Sequence, residues 1–524
     1  MVPKFFRKLS SSPTRPVASA SKAQAFDVGA LWEGPLDASE SVQDLGLDEK
    51  LRRAYFWIVN SAILSPHYDI EFNRGPSREF AIGDKRTLSL PTDQSYSSYV
   101  LLPLLTFALR RKCLMVGGPG RGKTASAMLM GVLSGMPLKT VKRSMQHGHP
   151  QMTVADLLGN PLPADLVGAQ SMDDIRIAWR PWLDQPVRII DEYNRIPTRT
   201  QSALLTVLGD NYAEVLGQIR ECPEAAWYLT ANDDGGGGTY EVIEALRDRV
   251  DVVVQALPFH PRFLQDLLLR IEENARPEEF VPPEIVFSSE DIDAMGRQIR
   301  ELPVPDSVRR RLEHFASQLE LLEAAGRQAE HLSKDTALLS GLEWSEILRA
   351  DTGRDRLSDL GSQSRNGLSV RVLMTLLAYA KAMAWFRGRP EVDLTDLRQI
   401  LPFVLRDKLK PDLESPFFQA PENLPLRTDR ISWLRGLFDA SCAEFDRLGM
   451  DRDDAVGTLF SQFKEGLEGL GRMDVKARLE AIVGAVDKIA KARKLTGPMH
   501  DDLLLLKSLH QRYTNYLNWL ESQP

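Results

Sequence analysis

One octapeptide constrains this chain more than any other feature: Gly117-Gly118-Pro119-Gly120-Arg121-Gly122-Lys123-Thr124. It fits G-x-x-x-x-G-K-[ST], with a short apolar run before it and a helical pattern after it. Glycines let successive backbone N–H groups turn inward around a phosphate without Cβ clashes. A helix starting near Lys123 aims its positive end at the same phosphates. Lys123 is expected to reach the β- and γ-phosphates, and the Thr124 hydroxyl to ligate Mg2+. The expected nucleotide-binding set is Gly117, Gly118, Pro119, Gly120, Arg121, Gly122, Lys123, Thr124 and Ala125.

Such a loop works only at the end of a buried strand, and the surrounding pattern supplies one. Strands are predicted at Cys113–Val116, Val187–Ile190, Trp227–Thr230 and Val250–Val254, with helices between them. Strands alternating with helices imply crossover connections and a mostly parallel sheet, an α/β fold. The second of these strands runs into Asp191-Glu192. Phosphoryl transfer needs a metal to absorb charge and a water positioned in line with the γ-phosphate. Asp191 is therefore expected in the Mg2+ shell, and Glu192 is expected to orient and polarise the attacking water. Arg188 interrupts this apolar strand and is expected to face outward or toward a neighbouring subunit.

The rest of the chain sets limits. At ~150 residues per domain, 524 residues correspond to about three domains. Lys+Arg 65 against Asp+Glu 72 gives a net charge of -7, which disfavours a general nucleic-acid-coating role. The three cysteines Cys113, Cys222 and Cys442 have neither disulfide nor zinc spacing, and three reduced thiols in a cytoplasmic protein are expected. The longest apolar stretch, Val100 to Leu109, is broken by Pro103 and Thr106, whereas a membrane-spanning helix needs about 20 residues. Residues 1–26 are basic and Ser-rich without acids; a transit peptide and a solvated tail share that composition, and the lack of an amphipathic stripe favours the tail.

The expected organisation is a disordered tail over 1–45, an N-terminal extension over 46–98, and an α/β nucleotide-binding domain over 99–262. A helical lid follows over 263–410, with a charged insertion at about 313–365, and then an all-α C-terminal domain over 411–524. Helices are predicted over Leu47–Ile63 and Tyr99–Arg111, with an irregular loop between them. The stripe Leu312, Phe315, Leu319, Leu322 in the insertion reads as a solvent-exposed hairpin packed on the lid. The C-terminal stripes Val475–Ile489 and Leu506–Leu520 read as bundle packing, with partner binding as the alternative. His147 and His149 have no further His, Cys or acid at ligand spacing, so no metal is expected there.

The segment Asp191-Glu192-Tyr193-Asn194-Arg195-Ile196-Pro197, followed by Thr200-Gln201-Ser202-Ala203-Leu204-Leu205, resembles the MoxR family of AAA+ ATPases. The resemblance continues through Thr230-Ala231-Asn232, Gly238-Thr239-Tyr240 and Glu244-Ala245-Leu246-Arg247-Asp248-Arg249. It reaches the lid at Phe287–Val308, Gly367-Leu368-Ser369-Val370-Arg371 and Leu401–Arg406. It implies a P-loop sheet core with a helical lid, ATP and Mg2+ as cofactors, and ATP hydrolysis in a hexameric ring. By the same resemblance Asn232 is sensor 1 and Arg371 is sensor 2 on the lid. Arg249 is the arginine finger acting on the neighbouring subunit's nucleotide, and Arg247 is also available for that part. Met145–Leu162 occupies the place of the family's pore-facing helix-2 insert. The base is expected in an apolar pocket near Tyr99–Leu102.

This chain departs from the family pattern in Val250 where Phe is usual, in the run Gly235–Gly238, and in the lid insertion. The resemblance implies a chaperone-like motor remodelling a client, commonly beside a von Willebrand A domain protein, with RavA-like C-terminal helices. Two rivals stand beside it: a nucleic-acid-directed motor of a bacterial defence system, and a scaffold that uses ATP as an assembly switch. The acidic balance weighs against the first, and the intact Glu192, Asn232 and Arg249 weigh against the second.

Overall fold

The computed structural model describes residues 46–63, 65–83, 86–168, 174–232, 242–258, 260–272, 276–341, 347, 359–451, 454–492 and 495–523. The expected tail over 1–45, the Gly235–Gly238 run, Thr239-Tyr240 and most of 342–358 within the insertion lie outside those residues. The chain divides into two compact units. One runs to Pro303 and adds Met374–Val404; the other comprises Val304–Leu373 and Leu405–Pro524.

The first unit is built on a five-stranded parallel sheet. Its strands are β1 (Lys112–Val116), β2 (Gln146–His147), β3 (Val187–Asp191), β4 (Ala226–Ala231) and β5 (Val252–Gln255). They lie in the order β5-β1-β4-β3-β2. Every neighbouring pair is parallel, so the carboxyl ends of β1, β3 and β4 reach the same edge. The four predicted strands are present. The fifth, β2, is two residues long at the sheet edge, with His147 opposite Asp191. The Met145–Leu162 segment therefore begins as part of the sheet rather than standing wholly outside it as an insert.

The first unit's helices include α1 (Leu47–Trp57), α2 (Ser98–Leu109), α3 (Lys123–Leu133), α4 (Thr198–Asp210), α5 (Glu244–Arg249) and α6 (Leu264–Glu272). The predicted first helix continues past α1 as a π-helical turn over Ile58–Ala62. α2 is buried over nearly its whole length, which explains a composition apolar on every side. Its carbonyl at Pro103 accepts the Tyr228 hydroxyl of β4 at 2.8 Å. Asp251, at the start of β5, is buried; it accepts from the Lys112 amide and the Thr375 hydroxyl, both at 2.9 Å.

The irregular loop predicted between α1 and α2 contains an antiparallel hairpin, Arg78–Ile82 against Arg86–Leu90. Its stem is fastened to the unit by Arg387, whose guanidinium lies 3.5 Å from the centre of the Phe72 ring. The same guanidinium bonds the fully buried Asp396 at 2.6 Å.

The second unit is helical. It contains α7 (Asp306–Glu320), α10 (Arg430–Leu448), α11 (Ala455–Lys464), α12 (Arg472–Ala490) and α13 (Gly497–Ser522). Two further helices, α8 (Val370–Phe386) and α9 (Leu394–Leu405), run across the division of the chain. The stripe expected to be solvent-exposed is instead core. Leu312, Phe315, Leu319 and Leu322 are all buried, and Phe315 meets Phe438 of α10 edge to face at 5.3 Å. A stripe at helical spacing needs an apolar partner, and the C-terminal helices supply it. α12 and α13 close a separate cluster in which Val475 and Ile482 face Leu506, Leu509 and Tyr513. The Lys334 ammonium is buried and donates to the Ser364 carbonyl at 2.8 Å and its hydroxyl at 2.9 Å.

Two outcomes follow from these contacts. Arg387→Ala strands a buried carboxylate, so chemical denaturation is expected to show a loss of ~3–5 kcal/mol. Burial lowers the His314 pKa from 6.5 to about 4. The unfolded chain then binds a proton that the folded one rejects. Stability is expected to fall as the pH drops from 6.5 toward 4. His314→Gln should flatten that dependence in guanidinium midpoints measured across the same range.

Candidate functional site

β1 ends at Val116, and the chain turns at once into the phosphate loop. Gly117 has a φ of +149°, and a Cβ there would meet the Ala256 carbonyl oxygen at 2.8 Å. That close approach of β5 requires glycine. Gly120 and Gly122 lie in the left-handed region at +70° and +76°, which lets the loop curl before α3 begins. The Lys123 ammonium folds back over this curl. It donates to the carbonyls of Gly117 at 2.7 Å and Gly118 at 2.8 Å, and to Asn232 Oδ1 at 2.9 Å.

β3 and β4 deliver the acidic side. Asp191 Oδ1 accepts the Thr124 hydroxyl at 2.8 Å and the Thr230 hydroxyl at 2.6 Å. His147 Nδ1 lies 3.5 Å from the other oxygen of Asp191. Glu192 leaves the strand at a φ of +52°, a conformation costly for a non-glycine residue. Its amide donates to Thr230 Oγ1 at 2.9 Å, and Gly148 packs so closely that a Cβ there would meet the Glu192 carbonyl oxygen at 2.3 Å. The Glu192 side chain accepts from Asn232 Nδ2 at 2.9 Å and pairs with Arg195 Nε at 3.3 Å. Lys123, Asn232 and Glu192 thus form one continuous chain of polar contacts.

These side chains line a cavity of about 190 Å3 that contains Pro119 to Ala125, Asp191, Glu192, Thr230 and Asn232. A second cavity of about 240 Å3 shares Gly120, Arg121, Gly122 and Ala125 with it. Tyr99 lines the second cavity, whereas Val100, Leu101 and Leu102 are buried in the core. The 46–98 extension, to which the sequence assigned no role, supplies Ala62, Ile63, His67 and Asp69 to its wall, and α6 supplies Leu267 and Arg270. Asp69 is held by the Ser98 amide at 2.8 Å and the Ser98 hydroxyl at 2.7 Å.

The donor set near the phosphate loop fits a hard divalent cation. The Thr124 hydroxyl and the Asp191 carboxylate are oxygen ligands within hydrogen-bond distance of each other, and Mg2+ takes few protein ligands beside substrate phosphates and waters.

The remaining expected residues lie elsewhere. Arg247 and Arg249 share the short helix α5 and line neither cavity. Arg247 is exposed, and Arg249 is half-buried against Gly209 with Asp210 Oδ2 at 3.8 Å. Arg371 is exposed on the first turn of α8, in the second compact unit. Arg188 does not face outward. It is 1% exposed, its guanidinium stands 5.1 Å from the centre of the Trp227 ring, and Nη2 donates to the carbonyls of Leu183 and Pro223. Carbonyls and an aromatic face replace water there, and burial lowers its pKa to about 10. Thr230 is the functional residue that the sequence did not single out; a hydroxyl at the end of an otherwise apolar strand was the available signal.

Residues 112–252 match the ATPase family associated with various cellular activities (AAA), and residues 361–425 match the AAA lid domain. Chaperone MoxR1 from Mycobacterium tuberculosis is 23% identical over 254 residues, covering 47% of this chain. The chain spans 58% of that relative's length. A solved structure of a candidate ATPase from Cytophaga hutchinsonii is 18% identical and covers 64% of this chain and 89% of its own, with a TM-score of 0.44. A phosphate loop, an acidic strand end and a strand-end asparagine stand together in a parallel sheet, and the sequence matches fall on that sheet and on the lid: the chain carries an AAA domain with an AAA lid and is similar to MoxR-type AAA+ ATPases.

Proposed function

We propose that the chain hydrolyses ATP with Mg2+ in a ring of identical subunits and uses the energy to remodel or activate a partner protein. The contact chain Lys123–Asn232–Glu192 carries the catalytic part of this reading. It joins a phosphate-binding cation to a carboxylate able to take a proton from water. Bound Mg2+ would neutralise charge on the phosphates and be held by Thr124 and Asp191. Lys123 then binds the phosphate oxygens, Asn232 orients the attacking water, and Glu192 accepts its proton. The base and ribose fit the adjoining 240 Å3 cavity, which shares the loop glycines.

The ring rests on the arginine assignment. Arg247 and Arg249 line neither cavity of their own chain, which suits a finger that acts on a neighbouring subunit's nucleotide. Arg371 is the lid residue proposed to sense that nucleotide. A von Willebrand A domain protein as the partner rests on the resemblance, and a cytoplasmic location rests on it and on three cysteines that form no disulfide. Among the described residues no helix is long and apolar enough to cross a membrane.

Glu192→Gln is expected to bind ATP, trap the assembled ring, and lose at least 100-fold in hydrolysis rate. An ATPase assay with a nucleotide-binding titration checks both halves, and unimpaired turnover would sink the assignment. Thr230→Val removes the hydroxyl that bridges Asp191 and the Glu192 amide. A fall in kcat of roughly 10- to 100-fold is expected, equivalent to about 1.4–2.7 kcal/mol, with a smaller change in KM.

A further inference from the structure

Among its described residues the first unit exposes, besides Leu216 and Ile219, two apolar surfaces that its own packing leaves open. The hairpin Arg78–Ile82/Arg86–Leu90 is one. Its register pairs Phe80 with Leu88 and Arg78 with Leu90. Side chains alternate along a strand, so Phe80, Ile82, Leu88 and Leu90 share one face, while Glu79, Ala81, Thr87 and Ser89 share the other. All four apolar residues are exposed, Phe80 by 43% and Ile82 by 51%. The stem is a fixed one: Asn73 Oδ1 accepts the Thr92 amide at 2.9 Å, and the Phe72 and Asp93 amides bond across the stem to Gln94 and Phe72. A two-stranded hairpin is marginal on its own, and an apolar face on an anchored one calls for a partner.

Helix α6 is the other surface. Leu268, Leu269 and Ile271 are exposed, Ile271 by 64%. On the same helix, Leu267 and Arg270 line the 240 Å3 cavity beside the phosphate loop.

Charge decides how these surfaces pair. Arg78 lies on the hairpin's apolar face, 5.9 Å from the centre of the Phe80 ring, while Arg74 on the stem pairs with Asp93 at 3.1 Å. α6 ends in the exposed Glu272; Arg262 stands beyond the opposite end, roughly 14 Å away along the helix. Two hairpins packed face to face bring arginines together. A hairpin laid on the end of α6 places arginine beside Glu272 and covers both apolar surfaces. Like-with-unlike contact is heterologous, and it generates a ring when the rotation closes.

We infer that the Arg78–Leu90 hairpin of one copy docks on α6 of the next copy, through Phe80 and Leu88 against Leu268 and Ile271. The neighbour's hairpin then backs the helix that walls the nucleotide cavity, so each site is completed by the adjacent chain. This contact rests on the ring proposed above and specifies which surfaces form it.

The experiment uses the full chain carrying Glu192→Gln, with ATP and Mg2+. One preparation also carries Leu88→Cys and another Leu268→Cys; they are mixed and oxidised. Disulfide-linked dimers containing one chain of each kind are expected, while either preparation alone gives no more dimer than the parent with its natural cysteines. In a separate variant, Phe80→Glu with Leu88→Glu is expected to raise the concentration for half-assembly at least ten-fold by light scattering. Because both positions are exposed, an unchanged thermal unfolding midpoint checks that the fold is kept. Dimers of Leu88→Cys with itself would overturn the contact in favour of like-with-like packing. Assembly at unchanged concentration, without the mixed disulfide, would overturn the contact and leave the ring standing. A monomer at every concentration with ATP would refute the ring and the contact together.

Discussion

Asp191 accepts hydroxyls from Thr124 and Thr230 on one oxygen, and the rest of the site depends on that pair of bonds. Thr124 belongs to the helix after the phosphate loop, Asp191 to β3 and Thr230 to β4. One carboxylate oxygen therefore holds three segments in register at the sheet edge. Thr230 then accepts the Glu192 amide, which fixes the left-handed turn that directs the Glu192 side chain toward Asn232. An atom shared among three segments tolerates little drift, and phosphoryl transfer is sensitive to drift because catalysis there is mainly positioning and charge stabilisation.

The sheet that carries this pivot contains buried polar groups with specific partners, Arg188 through Nη2 alone. Arg188 sits in the strand that ends at Asp191, held by two carbonyls and the Trp227 ring. Trp227 is opposite Arg188 on the neighbouring strand β4, so the cation packs across the two strands that carry Asp191 and Thr230. Asp251 ties the start of β5 to the Lys112 amide at the start of β1. Such groups are expensive to bury alone and specific once satisfied, which suits them to hold strands in one alignment.

The two cavities beside the phosphate loop also show how the N-terminal extension joins the first unit. Its residues 62–69 form part of one cavity wall, and its hairpin stands on a stem gripped by Arg387. The extension is thus a built part of the first unit rather than an appendage to it. In the second unit, the lid insertion and the C-terminal helices share a core, with Phe315 against Phe438 as its aromatic centre.

The amino-acid sequence by itself determined the phosphate loop, the acidic strand end, the strand-end asparagine and the alternation of strands with helices. Those features are local: glycines at fixed offsets, carboxylates ending an apolar run, and periodicities of two and 3.6. Other features depend on what lies opposite, and only the tertiary structure decided them. The strand Gln146–His147 is too short to carry a pattern and exists through pairing with β3. Arg188 reads as a surface residue until Trp227 and two carbonyls are placed around it. The stripe Leu312–Leu322 has the same spacing whether it faces solvent or a helix more than a hundred residues away. The role of Thr230 depends on bringing β3 and β4 side by side, because a hydroxyl acquires its meaning from the carboxylate and amide it bridges.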